Sequence, residues 1–253
     1  MSRLRALMIY QFKLQIREYL NIFFIVAFPV LMYLFFSNML EGELFYDGSF
    51  DAVYFLLPAY IPIVITNTIV LVFGQMLVSH KEHNFFIKYK LMGYKPVQVA
   101  GTLFVAVLIF QFIGIMALIV TAVITTGVTL PYNNLINVII IILIINIFQF
   151  ALAFFLSSVF NKSSIYQSVA LIVFYIQMFL GGMALPPEMF PERIKTLAEI
   201  FNPIIHGLYV MRGVWISGKS IFEFPMEIIL LLGVSIVLFL LGTKMFKWYD
   251  LQS

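Results

Sequence analysis

Apolar residues in this chain gather into six long runs, at about residues 20–39, 56–78, 97–126, 135–156, 165–185 and 226–246. A bilayer core of roughly 30 Å is crossed by about 20 residues rising 1.5 Å each, so each run predicts a transmembrane helix. The third is longer than one simple crossing needs, so it tilts or begins on the membrane surface. Pro29, Pro58 and Pro62 lie inside runs; lipid tolerates this where neighbouring helices satisfy the freed carbonyls. Strands of a β-barrel would read as short alternating segments, and the unbroken stretch over 138–145 is the opposite. The pattern predicts an all-α polytopic membrane protein with six spans in one domain over 1–253. The first run is full-length and lacks a small-residue cleavage site, so it reads as a retained helix.

Between the runs, three amphipathic segments stand out. In residues 1–19, Met8, Phe12, Ile16 and Tyr19 form an apolar ridge at helical spacing, with Arg3, Lys13 and Arg17 on the other side and Arg5 misplaced among the apolar positions. This predicts a helix lying in the membrane interface. The loop 79–96 mixes charge with Phe85, Phe86, Tyr89 and Leu91 before Pro96 starts the next helix. A loop that only turned the chain round needs a few polar residues, so these apolar side chains predict an exposed docking surface or headgroup anchors. In 186–225, Pro191 opens a helix with an Ile194, Leu197, Ala198, Phe201 stripe. Asn202-Pro203 breaks it, and a second helix presents Ile205, Leu208, Tyr209, Arg212 and Ile216. This hairpin between spans 5 and 6 either re-enters the membrane or caps the bundle.

Composition agrees: 62% of residues are hydrophobic and 11% charged, against roughly 45–50% and 25% in soluble domains. A mean hydropathy of +1.03 excludes a cytosolic enzyme, a disordered chain or a nucleic-acid binder. Net charge is only +3, and cysteine is absent, which removes disulfides, thiolate metal sites and cysteine nucleophiles. The distribution of charge orients the chain. Eleven of the 15 basic residues fall in the N-terminal segment, the loop 79–96, after span 4 and after span 6, beside three acids. The alternate loops hold nine acids and four basic residues. Basic loops stay cytoplasmic, which predicts both termini inside.

Chemical motifs are few. Gly213-Val214-Trp215-Ile216-Ser217-Gly218-Lys219-Ser220 matches a phosphate-loop pattern letter by letter. No strand precedes it, however, and the charge pattern places it outside, so it reads as a coincidence. His80, His83 and His206 lie in loops without a metal-binding or catalytic spacing. Ser157, Ser158 and Ser235 have no intramembrane base. Span centres lack Asp, Glu, Lys and Arg, so no ion-coupled relay is expected. Neutral polar groups remain: Thr66, Asn67, Thr68 and Gln75 in span 2, Asn146 and Gln149 in span 4, Gln167 and Gln177 in span 5. Interhelical hydrogen bonding accounts for most of these.

The order of parts resembles the type-2 ATP-binding-cassette exporter permeases, drug- and peptide-exporter branch. The resemblance is carried by the apolar-Gly-Gly run Phe179-Leu180-Gly181-Gly182, the Pro186-Pro187 and Pro191 that follow it, Asn202-Pro203 and Arg212-Gly213. Lys81-Glu82, Gly93 and Pro96 are similar to that family's coupling-helix region, with Asn84-Phe85 where a Gly-Thr pair is common. The resemblance implies a permease that pairs with a second permease copy and with cytoplasmic ATPase subunits, which bind ATP and Mg while this chain binds no cofactor. It implies ATPase coupling through Glu82, Phe85, Phe86, Tyr89, Leu91 and Gly93. It implies a translocation path at the dimer interface through spans 2 and 5, with Thr66, Asn67, Gln75, Tyr166, Gln167, Tyr175 and Gln177. An extracellular gate would use Gly181, Gly182, Pro186, Asn202, Pro203 and Arg212. The Ile/Phe/Asn-rich composition looks like relatives from low-GC Gram-positive bacteria, including staphylococcal exporters of phenol-soluble modulins.

Two other classes stay open: a membrane scaffold or immunity protein, and an intramembrane enzyme. An ATPase encoded beside this chain favours the permease. The orientation has its own check. Cysteines introduced at Ser49 and Ser220 are expected to react with an impermeant thiol reagent in intact cells, while one at Ser2 is not; labelling at Ser2 alone reverses the orientation.

Overall fold

The computed structural model describes residues 3–42, 44–45, 50–51, 53–184, 187 and 190–248. Six of its helices are long and apolar enough to cross a membrane. In chain order they are α2 (Tyr19–Met39), α3 (Val53–Glu82), α5 (Pro96–Thr126), α6 (Leu135–Val159, entered by a 3-10 turn), α7 (Ser163–Leu180) and α10 (Pro225–Met245). The shorter helices are α1 (Arg3–Arg17), α4 (Phe85–Leu91), α8 (Glu192–Phe201) and α9 (Ile204–Trp215). A two-residue ribbon, β1 (Leu44–Phe45) against β2 (Phe50–Asp51), links α2 to α3. The chain is thus an all-α, six-span protein. At 31 residues α5 is about 46 Å long, longer than the hydrocarbon core, and its first half carries α1 against it.

The centre of the bundle is α3, whose apolar window is wholly covered by the rest of the chain, whereas α2, α7 and α10 are mostly uncovered. Two helices widen locally into π turns, α2 over Phe23–Ala27 and α3 over Asn67–Phe73. Pro29 removes the N–H that would have bonded the Ile25 carbonyl one turn back. Gly114 of α5 faces that carbonyl, and a Cβ there would lie 2.7 Å from it. The freed groups are met between helices: the Asn67 amide donates to the Phe24 carbonyl, and the Tyr166 hydroxyl donates to the Val70 carbonyl at 2.7 Å. This is the compensation that lets proline and π segments persist in lipid.

Packing of α6 on α10 uses Gly242, where a Cβ would meet Phe154 at 2.7 Å. From there an aromatic ladder runs Phe73, Phe150, Phe154, Phe246, Trp248, Phe86, with successive centroids 4.6–6.1 Å apart. It joins the middle of α3 to α4 by way of α6 and the tail of α10.

The expected ridge of α1 is displaced. Leu7, Gln11 and Gln15 are buried, while Met8, Ile16 and Tyr19 are uncovered. Phe12 alone among the predicted ridge packs inward, stacking on Phe110 at 5.1 Å. The reason is that beside a membrane bundle both lipid and protein are apolar surroundings, and hydropathy alone does not separate them.

The α3–α7 contact is testable. A Cβ on Gly74 would fall 1.8 Å from the Tyr166 hydroxyl and 2.5 Å from its ring. Gly74→Val is therefore expected to lower the thermal midpoint of the detergent-purified protein strongly, and Tyr166→Phe by the equivalent of about 1 kcal/mol. The double variant should be more stable than the two losses summed, because removing the hydroxyl opens space for the new side chain.

Candidate functional site

At the end of the bundle where the chain's basic segments gather, α3 is fastened to two other helices. The Lys81 ammonium donates to the Ser157 carbonyl at 2.8 Å and lies 5.1 Å over the Phe246 ring. A cation at the C-terminus of α6 meets carbonyls that have no helical partner. The Glu82 carboxylate accepts from the Ser163 backbone N–H at 2.8 Å and its hydroxyl at 2.6 Å, capping the first turn of α7. Beyond Glu82 the chain turns through Asn84 at φ +55° and enters α4, which ends at Leu91 and is followed by Gly93 at φ +85°. Asn84 stands where a glycine would be the simpler choice, and it serves because asparagine is among the few side chains that visit the left-handed region.

The residues expected to couple to an ATPase divide on this geometry. Phe86 is 1% exposed and packs on Trp248, and Tyr89 is 8% exposed and stacks on His80 at 6.2 Å. They are core residues of this chain and not a free docking surface, because α4 folds back against the end of the bundle and spends its aromatic side there. Burial and the adjacent Tyr10 hydroxyl push the Tyr89 phenol up to about 12, so it stays protonated. Phe85 is half-buried with Lys88 4.8 Å over its ring. Leu91 and Met92, 84% and 57% exposed, are the uncovered apolar pair. Glu82 is exposed, but its carboxylate is already engaged by Ser163.

Inside the bundle, the predicted path residues do not form one lining. Thr66 and Gln177 are joined by Gln149, whose amide nitrogen donates to Thr66 Oγ1 at 2.9 Å and to Gln177 Oε1 at 2.8 Å. All three are buried. Asn67 turns instead toward α2, Tyr166 seats against Gly74, and Gln75 and Gln167 are half-buried. Tyr175 is uncovered on the outside of α7, stacked on Phe179. Span 2 is therefore the core of the single chain, where the expectation put it at an interface between copies. The physical cause is that the polar groups of α3 find their partners within the chain, Thr66 on α6 and Asn67 on α2. Gln149, the hub, and Lys81, the clamp, are absent from the predicted sites. Gln149 follows Asn146 by three residues in an otherwise apolar run, a spacing that places both on one helix face.

At the opposite end the predicted gate residues do come together. Gly182, at φ +75°, offers its carbonyl to Arg212 Nη2 at 3.2 Å, and the guanidinium sits 5.7 Å over the Phe55 ring. Gly181 is required by closeness, since a Cβ would strike the Gln177 carbonyl at 2.1 Å and Ile204 at 2.7 Å. The Asn202 amide donates to the Ile176 carbonyl at 3.3 Å, and Pro203 opens α9. Pro186 lies outside the described residues. α9 is buried along its length, with Gly207 against Ile145 near the middle of α6 and Val214 accepting from Asn134 at the start of α6. α8 keeps Ile194, Leu197, Ile200 and Phe201 uncovered, with Ala198 alone of its stripe facing in. In the phosphate-loop look-alike, Gly213–Trp215 closes α9 and Lys219 N returns to the Gly213 carbonyl at 3.1 Å. The segment follows a helix end, the reverse of the loop-then-helix order that presents amides to phosphate.

Replacing Gln149 by Leu strands the Thr66 hydroxyl and the Gln177 amide. The expected cost is about 1–2 kcal/mol, read as a lower thermal midpoint in detergent. Gln149→Leu with Gln177→Leu should cost less than the two changes added, since they break one bond between them.

No curated protein matches this chain. A family model described as ABC-2 family transporter protein matches residues 43–244, which take in five of the six spans, α4 and the α8–α9 hairpin. With that match over most of its length and six apolar helices to seat it in lipid, the chain belongs to the ABC-2 family, a multi-pass membrane component of ATP-binding-cassette transporters.

Proposed function

We propose that this chain is the permease subunit of an ATP-driven exporter of amphipathic or hydrophobic substrates, peptides above all, in a Gram-positive plasma membrane. In this reading two permease copies pair with two cytoplasmic ATPase subunits, which bind and hydrolyse ATP with Mg. Both termini lie inside, and α4 meets the ATPase. The observation that carries the reading is the fastening of α4 to the bundle. Lys81 holds α6, Glu82 holds α7, and Phe86 joins the aromatic ladder, so a push on α4 displaces several spans together. The apolar contact offered to a partner is then Leu91–Met92, flanked by Lys88 and Lys90, and the buried Phe86 and Tyr89 transmit force without touching it.

The described spans carry no Asp, Glu, Lys, Arg or His between their end turns, which supports an energy source outside the chain. The charge pattern supports an outer position for the α8–α9 hairpin. There α9 descends beside α6 as a re-entrant plug, and the Arg212–Gly182 contact fastens it to the end of α7.

The test is co-purification and ATP turnover with the partner ATPase in reconstituted membranes. Leu91→Asp with Met92→Asp should leave membrane levels unchanged and weaken the complex by about 30-fold or more, as expected for loss of a central apolar contact worth about 2 kcal/mol. Glu82→Ala should keep the complex and reduce substrate-stimulated turnover, because it cuts the tie to α7 and not the contact. Unchanged binding and turnover in both variants would remove α4 from the coupling role.

A further inference from the structure

Between α1 and α4, at the basic end of the bundle, lies an open cavity of about 530 Å³, within the size range of small-molecule sites. Its lining has two characters. Leu7 and Leu14 of α1 and Phe85 of α4 are apolar, while Tyr10, Tyr94 and Lys88 carry polar ends. α1 packs along α5, a membrane span, and leaves Leu4, Met8 and Ile9 uncovered. The helix that forms one wall therefore also presents apolar surface that the chain itself does not cover.

The charge around the cavity is of one sign. α1 holds four Arg or Lys and α4 holds two Lys, with no acid in either helix. No Asp or Glu lines the cavity. The Lys88 ammonium stands 4.8 Å over the Phe85 ring and is paired with no described carboxylate. Glu82, the acid closest to it in sequence, is engaged by Ser163. A basic, partly enclosed site beside membrane spans attracts anionic headgroups. A choline head is disfavoured, because Lys88 already occupies the ring face that its ammonium would seek. A free inorganic anion gains nothing from the apolar wall, whereas a lipid uses both parts of the lining.

We propose that this cavity seats one anionic phospholipid, with its phosphate at the Lys88 ammonium, its glycerol among the Tyr10 and Tyr94 rings, and an acyl chain along Leu7 and Leu14. The bound lipid bridges α1 and α4, so the composition of the leaflet sets how firmly the two helices are held together. Such binding requires the membrane setting of the chain and not its partnership with an ATPase.

The full chain, purified in detergent and stripped of lipid, is titrated with dioleoyl phosphatidylglycerol or dioleoyl phosphatidylcholine, and bound lipid is counted by native mass spectrometry. One phosphatidylglycerol is expected to bind saturably, at a half-point about 5-fold below that of phosphatidylcholine, the advantage of one cation beside an anionic lipid. Lys88→Gln should bring the two half-points together. Lys13→Gln, which removes an exposed cation of α1 outside the cavity, should leave the preference intact. Ala6→Phe, which fills the cavity and leaves every charge, should weaken binding of both lipids. Absence of saturable binding, equal half-points for the two lipids, or a preference that survives Lys88→Gln would each overturn the proposal. So would a preference lost as fully in Lys13→Gln, which would make it a general effect of surface charge. Displacement of phosphatidylglycerol by an equal concentration of inorganic phosphate would assign the site to a soluble anion and overturn it as well.

Discussion

A helix surrounded by protein on every side, inside a membrane, must find a partner for each polar group without help from water, and α3 is held to that condition over its whole apolar window. The arrangement of its neighbours follows from it. Asn67 requires a carbonyl, and the π turn of α2 presents that of Phe24. The π turn of α3 in turn offers Val70, and Tyr166 of α7 reaches it through the space left by Gly74. Thr66 is met by Gln149 of α6, which also holds Gln177 of α7. Three helices are thus oriented about α3 by specific hydrogen bonds. Lipid tails are as apolar as leucine, so packing and such bonds, and not hydrophobic exclusion, must fix which helix sits where.

The two ends of the bundle solve different problems with related means. At the basic end, charged side chains occupy helix termini: Lys81 on the carbonyls of α6 and Glu82 on the amides of α7. Each satisfies groups that a helix leaves unpaired, and each complements the helix dipole. At the other end Arg212 is buried against a glycine carbonyl and an aromatic ring. Both arrangements convert a chain end or turn into a fixed joint.

Much of this was legible in the sequence. Six spans and the short helices between them follow from run length and helical spacing. These signals survive because crossing a fixed hydrocarbon thickness imposes length on each element independently of its neighbours. What the tertiary structure alone decided is which face of each helix meets protein and which meets lipid. Met8 and Leu7, or Phe86 and Leu91, are equivalent by hydropathy, yet Leu7 and Phe86 are buried while Met8 and Leu91 are not. In water, burial against protein and avoidance of solvent select the same residues; in lipid both faces are apolar, so periodicity loses its power to point inward. Gln149 became the hub and Lys81 the clamp for the same reason: their roles depend on which carbonyl or hydroxyl lies opposite, and only the packed bundle supplies that.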